Sequence, residues 1–558
     1  MPYPSTKKST SLGLPVLGFN KRDPLPTMGA EYCVAAVNME PEAQYLRVRN
    51  GYVVQNQLTD SLARRIYAIA AYGDSKLFAY VQNYSGNHTI YDITTNGGET
   101  VVATLGTSTP TRATVNSMAR SVVFSTENNY STGSYSYDGT SWTAWGFTYG
   151  GSPIGGNVVI TYKGRVYIFE TSVYAHYTGA AYMYYGGLDA ITGATTRVDI
   201  SSLLKDSGVV RWASVLTSPS MRSDELYLAF GTHSGQVFVY AGDNPGASNW
   251  TLVGQFQTAR PLYWNSIVHY NNDILILTER GVVSVQRLFQ VGSEASDATI
   301  SEQIDKHWQD VVALYDLTTT DSGGGLAQSR ASGAYLASQN KLYFLLHGYV
   351  NRAGNSNGYE TDIFSGSNNY FGTMFVYNTV SKGWTIHQVS CLMNRTSISG
   401  SQDISGGLTV FRGELYLFSQ IFVYRLTSNQ YYDNFNYSES QGSSGSQGST
   451  YPFYLDSACY SLSSTLDPIK VEGVTAVVKN DRVSSVGVQM GLTADYGYRQ
   501  TAVSTSSALN TGYNSIFFSI GESGFSFQYN LSGDTTAFSD TNGTSTGFRI
   551  YNIGVIYR

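Results

Sequence analysis

Residues 340–346 read NKLYFLL: a turn residue and a cation, then an unbroken apolar and aromatic run. The pattern returns as SKLFAYV (75–81), RSVVFST (120–126), KGRVYIFE (163–170), DELYLAF (224–230), NDILILT (272–278) and GELYLFS (413–419). Short apolar runs bounded by turn residues read as strands buried on both faces. No one copy can bury itself. Copies recurring at roughly 45 to 70 residues read as units set around an axis, an all-β β-propeller of about six to seven blades.

The segments between these strands fit blades. Turn punctuation is dense: Asn96-Gly97-Gly98, Asp138-Gly139, Gly150-Gly151 and Gly406-Gly407. Three segments run tyrosine, turn, tryptophan: SYDGTSWTAW (136–145), VFVYAGDNPGASNWTLV (237–253) and MFVYNTVSKGWTIHQV (374–389). Each reads as a hairpin that caps a blade. One interruption, SEQIDKHWQDVVAL (301–314), sets Ile304, Trp308, Val311 and Val312 at helical spacing and predicts a short inserted helix sealing a seam.

The expected organisation has four parts. Residues 1–60 hold six of the 13 prolines and read as an extended docking arm, because proline removes a ladder donor. Residues 61–430 are the propeller, with the helix near 301–314. Residues 431–450, including SESQGSSGSQGST, form a flexible Gly/Ser segment. Residues 451–558 return to strand patterning, as in KVEGVTAVVK from Lys470, and predict a β-sandwich-like domain. Two polar loops, Thr318–Ser329 and Asn351–Asn369, stand out as functional candidates.

Composition narrows the function classes. Only 13% of the 558 residues are charged, and Gly (57), Tyr (45) and small polar residues take their place. Wide, weakly charged, tyrosine-rich surfaces suit permanent assembly. A net charge of −6 argues against a general nucleic-acid binder. Cys33, Cys391 and Cys459 are odd in number and far apart, which fits neither a disulfide framework nor a CxxC metal site. They read as small buried hydrophobes of a reducing compartment. No export signal or membrane-spanning stretch is expected.

Chemistry-bearing motifs are missing. GxxxxGK[ST], HExxH, GxSxG and EF-hand patterns do not occur, and the seven histidines show no ligand spacing. Asp138 sits one residue short of the Asp-box turn of sialidase propellers and reads as a turn residue. The basic residues Arg47, Arg49, Arg64 and Arg65 fit interface carboxylates or phosphates as well as a solvated face. No catalytic, cofactor-binding or metal residue is therefore assigned, no cofactor is expected, and the chain reads as no enzyme.

The opening residues add a resemblance. Gly18-Phe19-Asn20-Lys21-Arg22-Asp23-Pro24-Leu25, then Ala36-Val37-Asn38-Met39-Glu40-Pro41, then Leu46-Arg47-Val48-Arg49-Asn50-Gly51-Tyr52 resemble the start of the tail nozzle (tail tubular protein B) family of short-tailed bacteriophages. The segment Ile300-Ser301-Glu302-Gln303-Ile304 resembles a helix start within that family. Met39-Glu40 departs from it where an aromatic usually precedes the proline. The resemblance implies a structural protein of the virion tail, assembled in the host cytoplasm. It implies a self-assembled ring, a hexamer by family expectation, that forms and gates the distal DNA channel. The implied partners are the tail adaptor, tail fibres or spikes, and genome DNA passing through without sequence-specific binding. Six chains at −6 would carry roughly −36, which opposes phosphate sticking. The two polar loops are the gate candidates. A receptor-binding or glycan-acting β-propeller is the alternative.

Overall fold

The computed structural model describes residues 7–58, 63–83, 87–105, 113–118, 121–126, 135–144, 146–156, 158–169, 181–204, 209–217, 225–263, 266–291, 298–315, 330–350, 369–389, 406–419, 422–427, 452–461, 468–480, 488–495, 503–505, 512–534 and 548–558.

The seven quoted runs become the second strands of seven sheets: Lys76–Asn83, Ser121–Thr126, Arg165–Phe169, Leu226–Thr232, Asp273–Thr278, Lys341–Val350 and Glu414–Ser419. Each is sandwiched between neighbouring sheets, which is why it lacks polar alternation. The sixth shows the effect most plainly: Leu342, Tyr343, Phe344, Leu345 and Leu346 are all fully buried. Two of the preceding turns use left-handed backbone. Lys163-Gly164 and Arg412-Gly413 have positive φ at both residues, as a two-residue type I′ hairpin requires.

The first strands are Ala63–Tyr72, Ala113–Met118, Val158–Tyr162, Val210–Thr217, Ile267–Tyr270, Arg330–Leu336 and Gly406–Phe411. They neighbour one another in turn around one axis, except that Val210–Thr217 meets blade five through its second strand, Asp273–Thr278, and the last returns to the first. The ring is closed by a sheet ladder: strand Tyr52–Gln57, from before blade one, pairs antiparallel with Phe422–Leu426 as the outer strand of blade seven. The protein is thus a β-propeller, and among the described residues its blades number seven.

The Tyr-turn-Trp segments are the third-to-fourth-strand hairpins of blades two, four and six. Two of their tryptophans reach the preceding blade. Trp142 meets Phe78 edge-on at 5.0 Å, and Trp250 stacks on Tyr167 at 6.2 Å with 8° between planes. Blade five has three described strands followed by helices Val285–Val291 and Asp305–Leu314. The expected helix does seal a seam. Trp308 donates Nε1–H to the Thr278 carbonyl of blade five at 2.8 Å and packs on Phe375 of blade six at 5.2 Å. It starts at Asp305 rather than Ser301, because Ser301 Oγ instead receives the buried Val282 N–H.

The opening residues are not a separate docking arm. They supply strands to a second body built from both chain ends. One of its sheets holds Met39–Pro41, Leu46–Val48, Phe548–Tyr557, Ile469–Asn480 and Gly512–Gly524, with Lys8–Leu12 also paired to Phe548–Tyr557. The other holds Gly18–Phe19, Tyr32–Val37, Pro452–Ser457, Ser526–Asp534, Val488–Ala494 and Val503–Thr505. This second sheet continues without a break into blade six, through parallel pairing of Gly18 and Val37 with strand Trp384–Gln388. The prolines end ladders rather than forbid them: Pro41 closes a strand and Pro24 precedes a 3₁₀ turn. The sandwich expected over 451–558 is therefore completed by residues from the other end of the chain. The Gly/Ser segment, Cys391 and the two gate-candidate loops (apart from Asn369) lie outside the described residues. Cys33 is buried and Cys459 half-buried, and neither forms a disulfide among the described residues.

Candidate functional site

The most concentrated polar chemistry of the described residues lies where the chain's opening strands meet blade six. It is built from the motif N-M-E-P and from R-V-R-N-G-Y. Asn38 adopts a left-handed φ of 55°, which asparagine tolerates better than most residues. Its backbone N–H donates to Ile386 O at 2.7 Å. Its Oδ1 accepts from Gln388 N at 2.9 Å and from Arg49 Nε at 2.7 Å. This kink turns Glu40 into the protein.

Glu40 is fully buried. Its Oε2 accepts from Arg47 Nε at 2.7 Å and from Lys341 Nζ at 2.9 Å, while Oε1 lies 3.1 Å from His387 Nε2. Glu42 shares the same cations, 3.1 Å from Lys341 Nζ and 3.3 Å from Arg47 Nε. Asn378 Nδ2 donates to Pro41 O and to Glu42 Oε2, both at 3.2 Å. Arg47 lies on strand Leu46–Val48 and Arg49 directly follows it, with Val48 between them fully buried. Arg49 has no exposed surface. Its guanidinium donates to Asn50 O at 2.8 Å and Gln388 O at 3.2 Å, and lies 5.2 Å from the Tyr52 ring.

The electrostatics follow from burial and pairing. Burial pushes the Glu40 carboxyl up, but the charges of Arg47 and Lys341 and the His387 bond outweigh it, so it titrates well below the usual carboxylate range. Burial lowers His387 to about 4 against the pull of Glu40. The imidazole is therefore neutral near pH 7, with Nε2 facing Glu40 and Nδ1 3.3 Å from the Tyr52 hydroxyl. With Oε2 held by two cations, Oε1 beside His387 and the carboxylate buried, the arrangement locks two bodies together.

A second contact joins the remaining resemblance segments. Lys21 N–H donates to Gln303 O at 2.7 Å, Arg22 pairs with Glu302, and Phe19 meets the His307 ring edge-on at 5.3 Å. Asn20 Oδ1 caps this turn by accepting from Arg22 N and Asp23 N. Residues 280 apart in the chain, Arg22 and Glu302, are thus brought together.

Sequence reasoning singled out Arg47 as one of a basic pair but missed its partners. Glu40 looked like a departure from the family pattern, and Lys341 and His387 sit inside a blade's strand signature. Asp138 is a turn residue as expected: its Oδ1 accepts from Thr140 N at 2.8 Å and Ser141 N at 2.9 Å. Among the described residues no group of three or more His, Cys, Asp or Glu is placed to hold a metal ion. The seven first strands, which face the propeller axis, carry no Asp or Glu. The carboxylate pair that glycoside hydrolysis uses is therefore not set on those strands.

No protein-family model and no curated protein matches the chain. Solved structures similar to it include an exo-β-1,3-galactanase from Phanerochaete chrysosporium, at 11% identity and TM-score 0.26, over 74% of this chain and 98% of that one. A glycoside hydrolase family 43 arabinoxylan arabinofuranohydrolase from Bacillus subtilis matches at 10% identity and TM-score 0.23, over 89% and 96%. The SapL1 lectin, solved with alpha methyl fucoside, matches at 13% identity and TM-score 0.30, over 59% and 97%. At these values the likeness does not extend to a site or a substrate. It does correct one expectation. Glycoside hydrolases stand among these similar structures, so the reading of the chain as no enzyme, drawn from missing motifs on a propeller scaffold, is withdrawn.

Proposed function

We propose that this seven-bladed β-propeller is the tail nozzle of a short-tailed bacteriophage, a structural protein that joins copies of itself in a ring and conducts DNA through the lumen. One observation carries the reading. The separated segments that resemble the nozzle family, residues 18–25, 36–41, 46–52 and 300–304, are not scattered over the surface. They meet in two adjoining contacts that fasten the end body to blades five and six. A chance likeness in unrelated loops has no reason to converge in this way. The low charge and high tyrosine content agree with a permanent assembly.

The test is electron microscopy of the purified chain, alone and with the tail adaptor, together with peptide mass spectrometry of purified particles. Six-fold rings and the chain's presence in stoichiometric amount in particles are expected. A chain absent from particles sinks the reading. A second reading, a propeller that binds or acts on glycans, draws on the exposed aromatic face of the end body. Turnover of a polysaccharide by the purified chain would favour it.

A further inference from the structure

The sheet formed by Gly512–Gly524, Ile469–Asn480 and Phe548–Tyr557 has two unlike faces. The inner face carries Phe518, Val474, Val478 and Ile550, all at most 1% exposed. The outer face carries aromatic rings. Tyr513 is 67% exposed and Phe517 53%. The Tyr551 ring lies 5.4 Å from both Tyr513 and Tyr45, so three rings run across the strands.

The Phe517 ring lies flat on the sheet. Its Cε2 and Cζ stand 2.4 Å from where a Cβ on Gly473 would be, so only glycine there lets the ring lie down. A ring lying flat presents its π-face to solvent rather than its edge. Neighbouring outward positions carry neutral hydrogen-bonding groups: Ser515, Thr475 and Asn552, whose Oδ1 accepts from Ser11. Two cations complete the face. Lys479 lies 5.6 Å from the Tyr513 ring and Arg549 5.3 Å from the Tyr45 ring. No carboxylate points outward between the Lys479 and Thr475 registers of these three strands.

We infer that this face binds an anionic polysaccharide. The apolar C–H face of a sugar ring packs by dispersion on a flat aromatic ring, and hydroxyls and amides beside it take the sugar hydroxyls. The two cations complement scattered carboxylate or phosphate groups on such a polymer. A nucleic-acid strand carries a phosphate at every unit and calls for a denser row of cations than the two on this face. The inference does not depend on the nozzle reading and survives its failure.

The test uses the full chain in native gels cast with hyaluronan, which carries a carboxylate on every second sugar, with xanthan, or with neutral dextran, and a fluorescent 20-mer of deoxythymidine as the nucleic-acid probe. Retardation is expected in at least one anionic gel and not in dextran. Phe517→Ala with Tyr513→Ala should weaken it by about tenfold or more. Phe517→Tyr, which keeps a flat ring, should retain it. Both variants should unfold at the wild-type temperature, because the changed side chains are exposed. Absence of retardation in both anionic gels overturns the proposal. So does retardation indifferent to the double alanine variant, or tighter binding of the oligonucleotide.

Discussion

Removing the Glu40 carboxylate should open the joint between the end body and blade six. In Glu40→Ala, Lys341 keeps only 2% side-chain exposure and Arg47 only 21%. Breaking a buried pair by deleting one partner typically costs about 3–5 kcal/mol, because the remaining charge stays buried. Glu42 is still 3.1 Å from Lys341 and takes part of that charge, so the lower end, about 3 kcal/mol, applies here. A chain of several bodies need not unfold in one step, so the assay is native-state hydrogen exchange on Met39–Pro41 and Trp384–Gln388. Opening free energy at these strands should fall by that amount, while Leu226–Thr232 in blade four keeps its protection. Glu40→Gln combined with Lys341→Met should cost less than the two changes summed, because each removes the other's reason to be charged. A cost below roughly 1 kcal/mol, the value of an exposed pair, or strict additivity in the double variant would refute the argument.

The same joint sets a pH dependence. His387 is lowered from its ordinary value to about 4, so the unfolded state binds the proton first as pH falls. Its contribution is whole above about pH 6.5 and is lost between there and about 4, roughly 3 kcal/mol in all; His387→Gln should flatten that segment of a stability–pH curve. Glu40 adds a further loss at pH below the ordinary carboxylate range. Gly18 has φ of 71°, and a Cβ there would stand 2.2 Å from Trp384 O, so Gly18→Ala should detach the parallel ladder and raise exchange at Trp384–Gln388. Trp250→Ala should cost less than the about 3–5 kcal/mol of a fully buried aromatic, since the ring is half-buried, by removing the stack between blades three and four, read as local opening of both hairpins. Deleting Tyr52–Gln57 would leave blade seven without its outer strand and should convert cooperative melting of the ring into a broad transition measured by calorimetry.

The repeated blade units were legible in the chain, though their number only to six or seven, because a strand buried on both sides must be apolar along its length. The Tyr-turn-Trp hairpins and the Trp308 helix were legible for a similar reason, since local turn chemistry and helical spacing act over a few residues. The joint was not. Lys341 lies 301 residues from Glu40 in the chain, His387 lies further still, and nothing in the neighbourhood of any one of them encodes the other two. Proline content likewise described the opening residues locally and missed that they complete a sandwich begun by the far end of the chain. Sequence alone determined the units, because burial is a local demand on side-chain type. Which units share a sheet, where the ring closes and which charges meet in the interior were decided only by folding, because pairing between distant strands depends on the whole chain's path.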